Sequence, residues 1–243
     1  MKKSILIALA LMVGAFSASA GEKPKKAQKN KAVLVSAIDS VSYAAGMVIG
    51  EQMKKQLLPQ MNGAFESWGD SIHTERFLEG VRAVLLAVDQ LMPQEQAMQY
   101  FQQQEQAARK QSEDIYKQKN EQFLAENKLR EGVQTTPSGL QYKVITMGNG
   151  EHPTATDNVV VKYEGRLIDG SIFDSSYKRT PDTNTFRANQ VIKGWTEALQ
   201  LMPVGSKFEL YIPQELAYGP RQAGSIKPYS TLIFVVELID IKK

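Results

Sequence analysis

Two stretches in the first hundred residues place apolar side chains three and four positions apart, the spacing of one face of an α-helix. The first stretch begins near Ser36 and is expected to end at Pro59. The second follows Thr74, which is suited to cap a helix. Their apolar positions are Ile38, Val41, Ala45, Val48, Ile49, Met53 and Leu57, then Phe77, Val81, Val84, Leu85, Val88 and Leu91.

These two helices predict a domain over residues 36–92 that is too small to be stable alone. About 55 residues in two helices form a marginal core. Gly46 and Gly50, one turn apart, lack a Cβ and would let another helix approach closely. We therefore expect residues 36–92 to pair with a second copy as a homodimer. The alternative is that the helices fold back on the C-terminal half.

A long polar helix is predicted next, over residues 93–131. Residues 94–130 contain no Gly or Pro and are rich in Gln, Glu, Lys and Ala, which favour helix. Pro93 marks its start and Gly132 its end. At 1.5 Å per residue it would be roughly 55 Å long. Its apolar residues are too sparse for a coiled-coil seam, so we expect a largely solvated stalk that packs only near its ends.

From residue 133 onward the apolar period changes to two, which is typical of β-strands. We interpret residues 133–139 as a break with turn chemistry. One helix is predicted, from Ile192 to Leu201. Strands are predicted over 140–145, 158–168, 171–173, 207–213 and 231–241. The fold class is therefore α+β, with an antiparallel sheet wrapped over a short helix in residues 133–243.

The N-terminus indicates export. A basic start, an apolar run from Ile5 to Phe16 and the triplet Ala18-Ser19-Ala20 are the marks of a signal peptide over residues 1–20. Residues 21–35 are Lys-rich and polar, which predicts a disordered basic tether. The 29 basic and 26 acidic residues give a net charge of +3. Removing Lys2 and Lys3 leaves 27 − 26 = +1, so the charge gives no support for binding nucleic acid.

The residue types present narrow the chemistry further. The chain has no cysteine, which excludes disulfides, thiol catalysis, zinc–thiolate sites and a lipid-modified N-terminal Cys. Its two histidines, His73 and His152, lack the spacing of metal ligands or of a catalytic triad. We expect no metal and no cofactor. We expect a soluble protein of the periplasm or the cell envelope that is not a lipoprotein.

An apolar pocket is the candidate site, centred on the sequence Val191-Ile192-Lys193-Gly194-Trp195. The alternative is that its aromatic residues are simply the core of a small domain. The candidate residues are Tyr163, Phe173, Asp174, Phe186, Val191, Ile192, Trp195, Tyr218, Ile226 and Phe234.

Six motifs follow one another along the C-terminal half: Tyr163-Glu164-Gly165, Phe173-Asp174-Ser175-Ser176, Val191 to Trp195, Tyr211-Ile212-Pro213, Ala217-Tyr218-Gly219 and Leu232-Ile233-Phe234. Their order resembles that of the FKBP-type peptidyl-prolyl cis–trans isomerases over residues of about 133–243. The N-terminal helices and the stalk are similar to the dimerisation arm of the exported Mip-like and FkpA-like members. The resemblance implies isomerisation of X-Pro bonds in unfolded or partly folded polypeptides, and binding of macrolide inhibitors of the rapamycin class.

The resemblance also implies a role for each pocket residue. Trp195 would lie beneath the proline ring, and the Ile192 N–H and the Tyr218 hydroxyl would each bind a substrate carbonyl. Asp174 would accept near the twisted amide or make a local turn bond. The apolar walls would be Tyr163, Phe173, Val191, Ile192 and Phe234, with Phe186 alongside and Ile226 from a loop that reads Ser225-Ile226-Lys227-Pro228 where the family usually has Ile-Pro-Pro.

Two other functions fit the same residues. The protein could be a holdase chaperone that keeps unfolded chains between two arms, with the prolyl pocket mainly a binding site. It could also be a binding module that presents the pocket to a fixed partner. The complete set of pocket residues favours catalysis over the binding module, whereas the sequence does not separate the isomerase from the chaperone.

Overall fold

A computed structural model of the chain describes residues 34–242, which form two compact units. The described part of the first unit consists of residues 34–65 and 70–90. The second contains residues 66–69 and everything from 91 onward. The predicted signal peptide (1–20) and the tether as far as residue 33 lie outside the described residues.

The described part of the first unit contains three α-helices. Helix α1 spans Ala37–Gln52 and begins with a capping box, in which the Asp39 N–H donates to Ser36 Oγ and the Ser36 N–H donates to Asp39 Oδ2. A π-helical turn, Met53–Leu57, leads into α2, Leu58–Ala64. Helix α3 spans Thr74–Leu86.

The prediction that Pro59 ends the first helix is wrong. The chain stays helical to Ala64 because the π turn intervenes, with the Leu58 N–H donating to the carbonyl five residues earlier. Pro59 is then the second residue of a new helix, where its missing N–H breaks no bond. In α3, His73 is the N-cap residue in place of Thr74.

The predicted apolar stripe of α3 is too long at its C-terminal end. Ala87 adopts a left-handed conformation, with φ of 54°, and the Val88 N–H donates to the Ala83 carbonyl. This closes the helix in a Schellman arrangement, so Val88 and Leu91 lie beyond it. None of the residues of α1, α2 or α3 is buried.

Helix α4 spans Gln94–Asn127, so it ends slightly earlier than expected, and Pro93 is its N-cap residue. Most of it is exposed, but Ala108, Asn120 and Asn127 are buried. The last two face the sheet. The Asn127 side chain donates to Gln141 Oε1 at 2.9 Å, and Asn120 Oδ1 accepts from the backbone of Thr231 at 2.7 Å.

Within residues 34–242, seven antiparallel strands form one sheet, in the order β1-β2-β6-β7-β3-β4, with β5 also paired to β3. The strands are β1 Val133–Thr135, β2 Gln141–Thr146, β3 Asn158–Arg166, β4 Ile172–Ser175, β5 Asn184–Arg187, β6 Lys207–Ile212 and β7 Leu232–Lys242. Residues 133–135 were expected to be part of a break. They form an edge strand too short to show a period, and pair with β2 through the turn at Thr136–Gly139.

The core lies between this sheet and helix α5, Lys193–Leu201. Val159, Val161 and Tyr163 alternate along β3 and are all buried. On α5 the buried side chains are those of Trp195, Ala198 and Leu199. The predicted α+β class is confirmed, with a helical N-terminal region and a C-terminal antiparallel sheet.

Candidate active site

The first turn of α5 positions Trp195. Ile192 is the N-cap residue, in an extended conformation, and its carbonyl accepts from the N–H groups of Trp195 and Thr196. A Cβ on Gly194 would overlap the Ile212 side chain, so this glycine lets the helix lie directly on β6. The result is an indole ring that is only 4% exposed.

Three aromatic rings contact Trp195 nearly at right angles. The ring centroids of Tyr163, Phe234 and Phe186 lie 5.2, 5.1 and 5.9 Å from that of Trp195, with interplanar angles of 89°, 82° and 85°. Phe173 extends the group through an edge contact with Phe234 at 5.4 Å. Edge-to-face contacts of this kind fix ring positions, so the five side chains form one ordered aromatic site.

A glycine on β3 makes room for this arrangement. Gly165 pairs with Phe234 on β7 and with Asp174 on β4. A Cβ at this position would come within 2.6 Å of the Phe234 ring and 2.7 Å of the Phe173 ring. Any other residue would therefore push the two phenyl rings out of place.

Asp174 is held by three donors. The Tyr163 hydroxyl donates to Oδ2 at 2.7 Å, while the Arg179 guanidinium and the Ser175 N–H donate to Oδ1 at 2.6 and 2.9 Å. The Ser175 bond is the local turn bond considered from the sequence, and the other two come from more distant residues. Burial raises the pKa of Tyr163, and the bond to Asp174 raises it further, so this phenol stays protonated and donating.

Arg179 is a site residue that sequence reasoning missed. Its Nη2 bonds Asp174 and its Nη1 lies 3.3 Å from the Tyr163 hydroxyl. It follows a short 3₁₀ turn, Ser176–Lys178, in a segment without apolar periodicity. An arginine five residues after an aspartate carries no motif, so no signal in the sequence alone indicates this contact.

Two polar groups beside the aromatic site have no protein partner among the described residues. Within residues 34–242, no acceptor is found for the Ile192 N–H, although its carbonyl is bonded twice. The buried Trp195 Nε1 likewise has no hydrogen-bond partner. Ile192 is only partly buried, so its N–H is available to a bound molecule, whereas the Trp195 Nε1 is one of the rare buried donors without a partner.

The remaining predicted residues lie at different depths. Val191, like Phe173, Phe186 and Ile192, is partly buried and packs against the core that contains Trp195. Ile226 is buried, at 6% exposure, in that same core. Tyr218 is 36% exposed and lies outside the core. The structure thus brings nine of the ten predicted residues to one cluster or its direct hydrogen-bond network, with Tyr218 more open to solvent.

Comparison with known proteins gives the same picture over nearly the whole described chain. Residues 149–239 match the profile of the FKBP-type peptidyl-prolyl cis-trans isomerase family, and residues 38–144 match that of the domain amino terminal to FKBP-type peptidyl-prolyl isomerase. The FKBP-type 22 kDa peptidyl-prolyl cis-trans isomerase of Escherichia coli strain K12 is 42% identical over 204 residues, which are 82% of this chain and 93% of that protein. The chain belongs to the FKBP-type peptidyl-prolyl cis-trans isomerases.

Further relatives place this FKBP-type isomerase beside two named groups. Outer membrane protein MIP of Legionella longbeachae is 40% identical over 214 residues, covering 84% of this chain and 86% of that protein. The crystal structure of FkpA from Escherichia coli superposes with a TM-score of 0.69 at 33% identity, covering 86% of this chain and 99% of that one. The predicted family, fold and enzyme class are confirmed.

Between residues 34 and 242 of the FKBP-type chain, no helix combines the length and the apolar content that a membrane span requires. In the same stretch, no three His, Asp or Glu side chains are grouped as metal ligands.

Proposed function

We propose that the chain catalyses isomerisation of X-Pro bonds in unfolded or partly folded exported polypeptides, and that the Trp195 pocket is where this occurs. The observation that carries the proposal is the aromatic site itself, in which three rings surround the buried indole at right angles beside an unpaired N–H. A proline ring is a compact apolar group that fits such a floor.

The chemistry requires no nucleophile. Amide resonance sets a barrier of about 18–20 kcal/mol to rotation about the peptide bond, and the transition state is a twisted, non-planar amide. Water around the carbonyl favours the polar planar form, so transfer into an apolar pocket lowers the barrier. Binding the twisted state more tightly than either planar isomer lowers it further.

Each side chain has a part in this proposal. Trp195 lies under the proline ring, with Tyr163, Phe173, Val191, Ile192 and Phe234 as walls, Phe186 alongside, and Ile226 behind. The Ile192 N–H binds one substrate carbonyl and the Tyr218 hydroxyl binds another. Asp174, oriented by Tyr163 and Arg179, presents a carboxylate edge toward the twisted amide.

The second part of the proposal is that the enzyme is a homodimer through residues 36–92. The apolar faces of α1 and α3 are exposed, with Ile38 at 68% and Val41 at 62%. A Cβ at Gly46 or Gly50 would meet no atom within 4 Å, so nothing in the described chain uses these gaps. A second copy would bury both stripes, and two linked pockets would raise the effective concentration of one polypeptide near the other pocket.

The exposed helices also support the alternative function of a holdase chaperone. Exposed apolar side chains on α1 and α3, such as Met47, Val48 and Leu85, could bind unfolded chains directly. In that case the prolyl pocket would be mainly a binding site. Export through residues 1–20, a periplasmic or envelope location, and binding of rapamycin-class macrolides in the Trp195 pocket complete the proposal.

The deciding experiment is the relaxation of a short X-Pro peptide with the mature protein and with the double variant Trp195→Ala, Phe173→Ala. Uncatalysed relaxation takes on the order of tens of seconds, so acceleration is readily measured. We expect kcat/KM to fall at least about 100-fold, because the apolar floor and one wall are both removed. A matched control, Tyr142→Ala with Phe208→Ala, removes two stacked rings of the sheet that are not part of the aromatic site.

Equal loss of activity in both double variants would assign the effect to damaged folding instead of to the pocket. No acceleration by folded wild-type protein would refute the enzymatic proposal. A measurement of aggregation suppression by the Trp195→Ala, Phe173→Ala variant distinguishes the isomerase from the holdase chaperone. Suppression at the wild-type level would favour a holdase that works without the pocket.

A further inference from the structure

The loop that carries Tyr218 and Ile226 has little regular structure of its own. This rim loop, residues 217–231, connects a 3₁₀ turn to β7, and it contains a β-bridge between Ala223 and Ile226. Tyr229 adopts a left-handed conformation, with φ of 61°, which is unfavourable for a residue with a large side chain. Contacts from outside the loop help to hold it in this conformation.

The last third of α4 supplies those contacts. Asn120 is buried, and its Oδ1 accepts from the Thr231 N–H at 2.7 Å. The Asn120 Nδ2 donates to the Tyr116 carbonyl at 2.8 Å, which fixes the orientation of the amide. A buried amide oxygen on the helix therefore bonds the last residue of the rim loop before β7 begins.

One turn earlier, Tyr116 makes the second contact. Its hydroxyl lies 2.9 Å from Ser230 Oγ, and Ser230 Oγ donates to the Lys227 carbonyl at 2.7 Å. Because a serine hydroxyl has a single proton, Tyr116 must be the donor in the first of these bonds. The hydroxyl chain from Tyr116 through Ser230 thus closes the end of the loop against the helix.

Two cation–π contacts cross the same boundary in opposite directions. The Lys117 ammonium of the helix lies 5.4 Å from the Tyr229 ring centroid of the loop. The Lys227 ammonium of the loop lies 5.5 Å from the Tyr116 ring centroid of the helix. Both distances are within the range of cation–π attraction. The first contact holds the ring of Tyr229, the residue with the left-handed backbone.

From Tyr229 the contacts lead to the pocket. The Tyr229 N–H donates to the Gly219 carbonyl at 2.8 Å, which ties the end of the rim loop to the residue after Tyr218. The bridge between Ala223 and Ile226 holds Ile226 where it packs in the core with Trp195. The two rim-loop residues with proposed substrate contacts are therefore connected to α4 through a short series of bonds.

We propose that α4 sets the position of the rim loop, so that Tyr116 and Asn120 are positioning residues for substrate binding although neither reaches the pocket. The inference rests on the proposed roles of Tyr218 and Ile226 in binding. It makes the end of the stalk part of the isomerase site, and gives a route by which bending of the stalk would change the affinity for substrate.

The competing explanation is that these bonds only attach the helix to the sheet. Asn127 provides the matched control. It is also a buried asparagine on α4, two turns further on, but its side chain bonds Gln141 of β2 and not the rim loop. Loss of either amide removes one buried anchor of the same helix, and only the loss of Asn120 frees the loop.

The experiment compares Asn120→Ala with Asn127→Ala in the full mature chain. We expect Asn120→Ala to raise KM for an X-Pro peptide about threefold to tenfold with kcat within about twofold of wild type. Hydrogen exchange at the Tyr229 amide should become at least about tenfold faster, because its bond to Gly219 opens more often. Asn127→Ala should change neither quantity, even where it lowers stability equally. Tyr116→Phe, which deletes one hydroxyl, should show the same pattern more weakly and serves if Asn120→Ala does not fold.

Equal KM values in the Asn120 and Asn127 variants, or unchanged Tyr229 exchange in Asn120→Ala, would overturn the inference. The exchange measurement needs no turnover, so it tests the contact between helix and loop even if the wild-type protein proves inactive. Inactivity of the wild type would count against the proposed function. If the wild type is active but the Tyr229 amide exchanges as slowly in Asn120→Ala as in the wild type, only the positioning role is refuted.

Discussion

The sheet and the helices α1 to α3 are both patterned with apolar residues, yet they use them in opposite ways. Val159 and Val161 of β3 are completely buried, whereas Ile38 and Val41 of α1 are mostly exposed. Burial of such side chains stabilises a fold by roughly 1.5–3 kcal/mol each. The sheet obtains this stabilisation within one chain. The helices lack it within one chain, which is why we propose that their apolar stripes form the dimer interface.

The largest expected effect comes from substitutions on the apolar face of α1, which test whether that face is the dimer interface. In the variant Ile38→Glu with Val41→Glu, four apolar side chains are lost from a dimer, at roughly 1.5 kcal/mol or more each. We expect the dissociation constant to rise at least about 1,000-fold, measured by sedimentation velocity. Catalysis on a short X-Pro peptide should be unchanged, and aggregation suppression should fall if it depends on two linked pockets.

The matched control places the same change on the other region. Ile145 and Met147, at 51% and 59%, are also more than half exposed but belong to β2 and the residues just after it. Ile145→Glu with Met147→Glu should leave association unaltered. If the α1 variant associates like the wild type, or if both variants dissociate alike, residues 36–92 are not the specific dimer interface.

Alkaline pH should affect the sheet through its buried tyrosines. Burial and the bond to Glu209 raise the pKa of Tyr211 to about 12, from an ordinary value of 10.0. The folded state therefore holds this proton more tightly. The associated stability is present below pH 10 and is lost as the pH rises toward 12, to an extent of at most roughly 3 kcal/mol. The raised pKa of Tyr163 acts in the same direction.

Urea unfolding at pH 9, 10 and 11, followed by Trp195 fluorescence in a Trp68→Phe background, measures this loss. Tyr211→Phe should flatten the dependence because the titrating group is gone. The same alkaline slope in the Tyr211→Phe variant would show that another group is responsible. The proposed dimerisation through α1 does not involve Tyr211, so association should not follow this titration.

Substitution of one glycine in each region should change stability by an intermediate amount, and in opposite directions. Gly194→Ala should destabilise the isomerase domain by about 2 kcal/mol, because the new methyl group overlaps Ile212 in a packed core. Gly46→Ala meets open space within one chain, where replacing a mid-helix glycine stabilises by roughly 0.5–1 kcal/mol. Thermal unfolding measures the effect of Gly46→Ala on helix stability, and sedimentation measures its effect on association. A more stable helix with weaker association is the result expected if the partner helix packs at Gly46.

The sequence predicted features that depend on neighbouring residues better than features that depend on contacts between distant parts of the chain. Period two along β3 and the Gly-Trp start of α5 are local properties, and both elements form as expected. Tyr163, Phe173, Trp195 and Phe234 of the aromatic site could be predicted because each lies in a recognisable motif. Arg179 could not be, since it reaches Asp174 through a turn that has no period.

The stalk shows the other limit. Its composition correctly predicts a long helix, but nothing in a polar sequence distinguishes Asn120 and Asn127 from the exposed residues around them. Their burial follows from the fold of the sheet, which brings the Thr231 N–H and the Gln141 side chain to the helix. Pro59 failed as a helix end for a similar reason, because the π turn that accommodates it has no sequence signature.

Ion pairs provide the smallest test of the contrast between the two regions. The Lys55–Glu51 pair on the helices is exposed on both sides, and Lys55→Ala should change stability by less than about 0.5 kcal/mol. In the sheet, Glu209 is largely shielded, with 18% of its side chain exposed, and accepts from both Arg166 and the Tyr211 hydroxyl. Arg166→Ala leaves this carboxylate with a single donor, so we expect a loss of about 1 kcal/mol. Substitution of Glu51 and Glu209 by Ala, alone and together with the basic partner, completes a double-mutant cycle for each pair. Urea unfolding of these variants gives the coupling energy of each pair. A coupling as small in the sheet as on the helix would mean that Glu209 is as well solvated as Glu51, and that the contrast between the two regions is one of apolar burial alone.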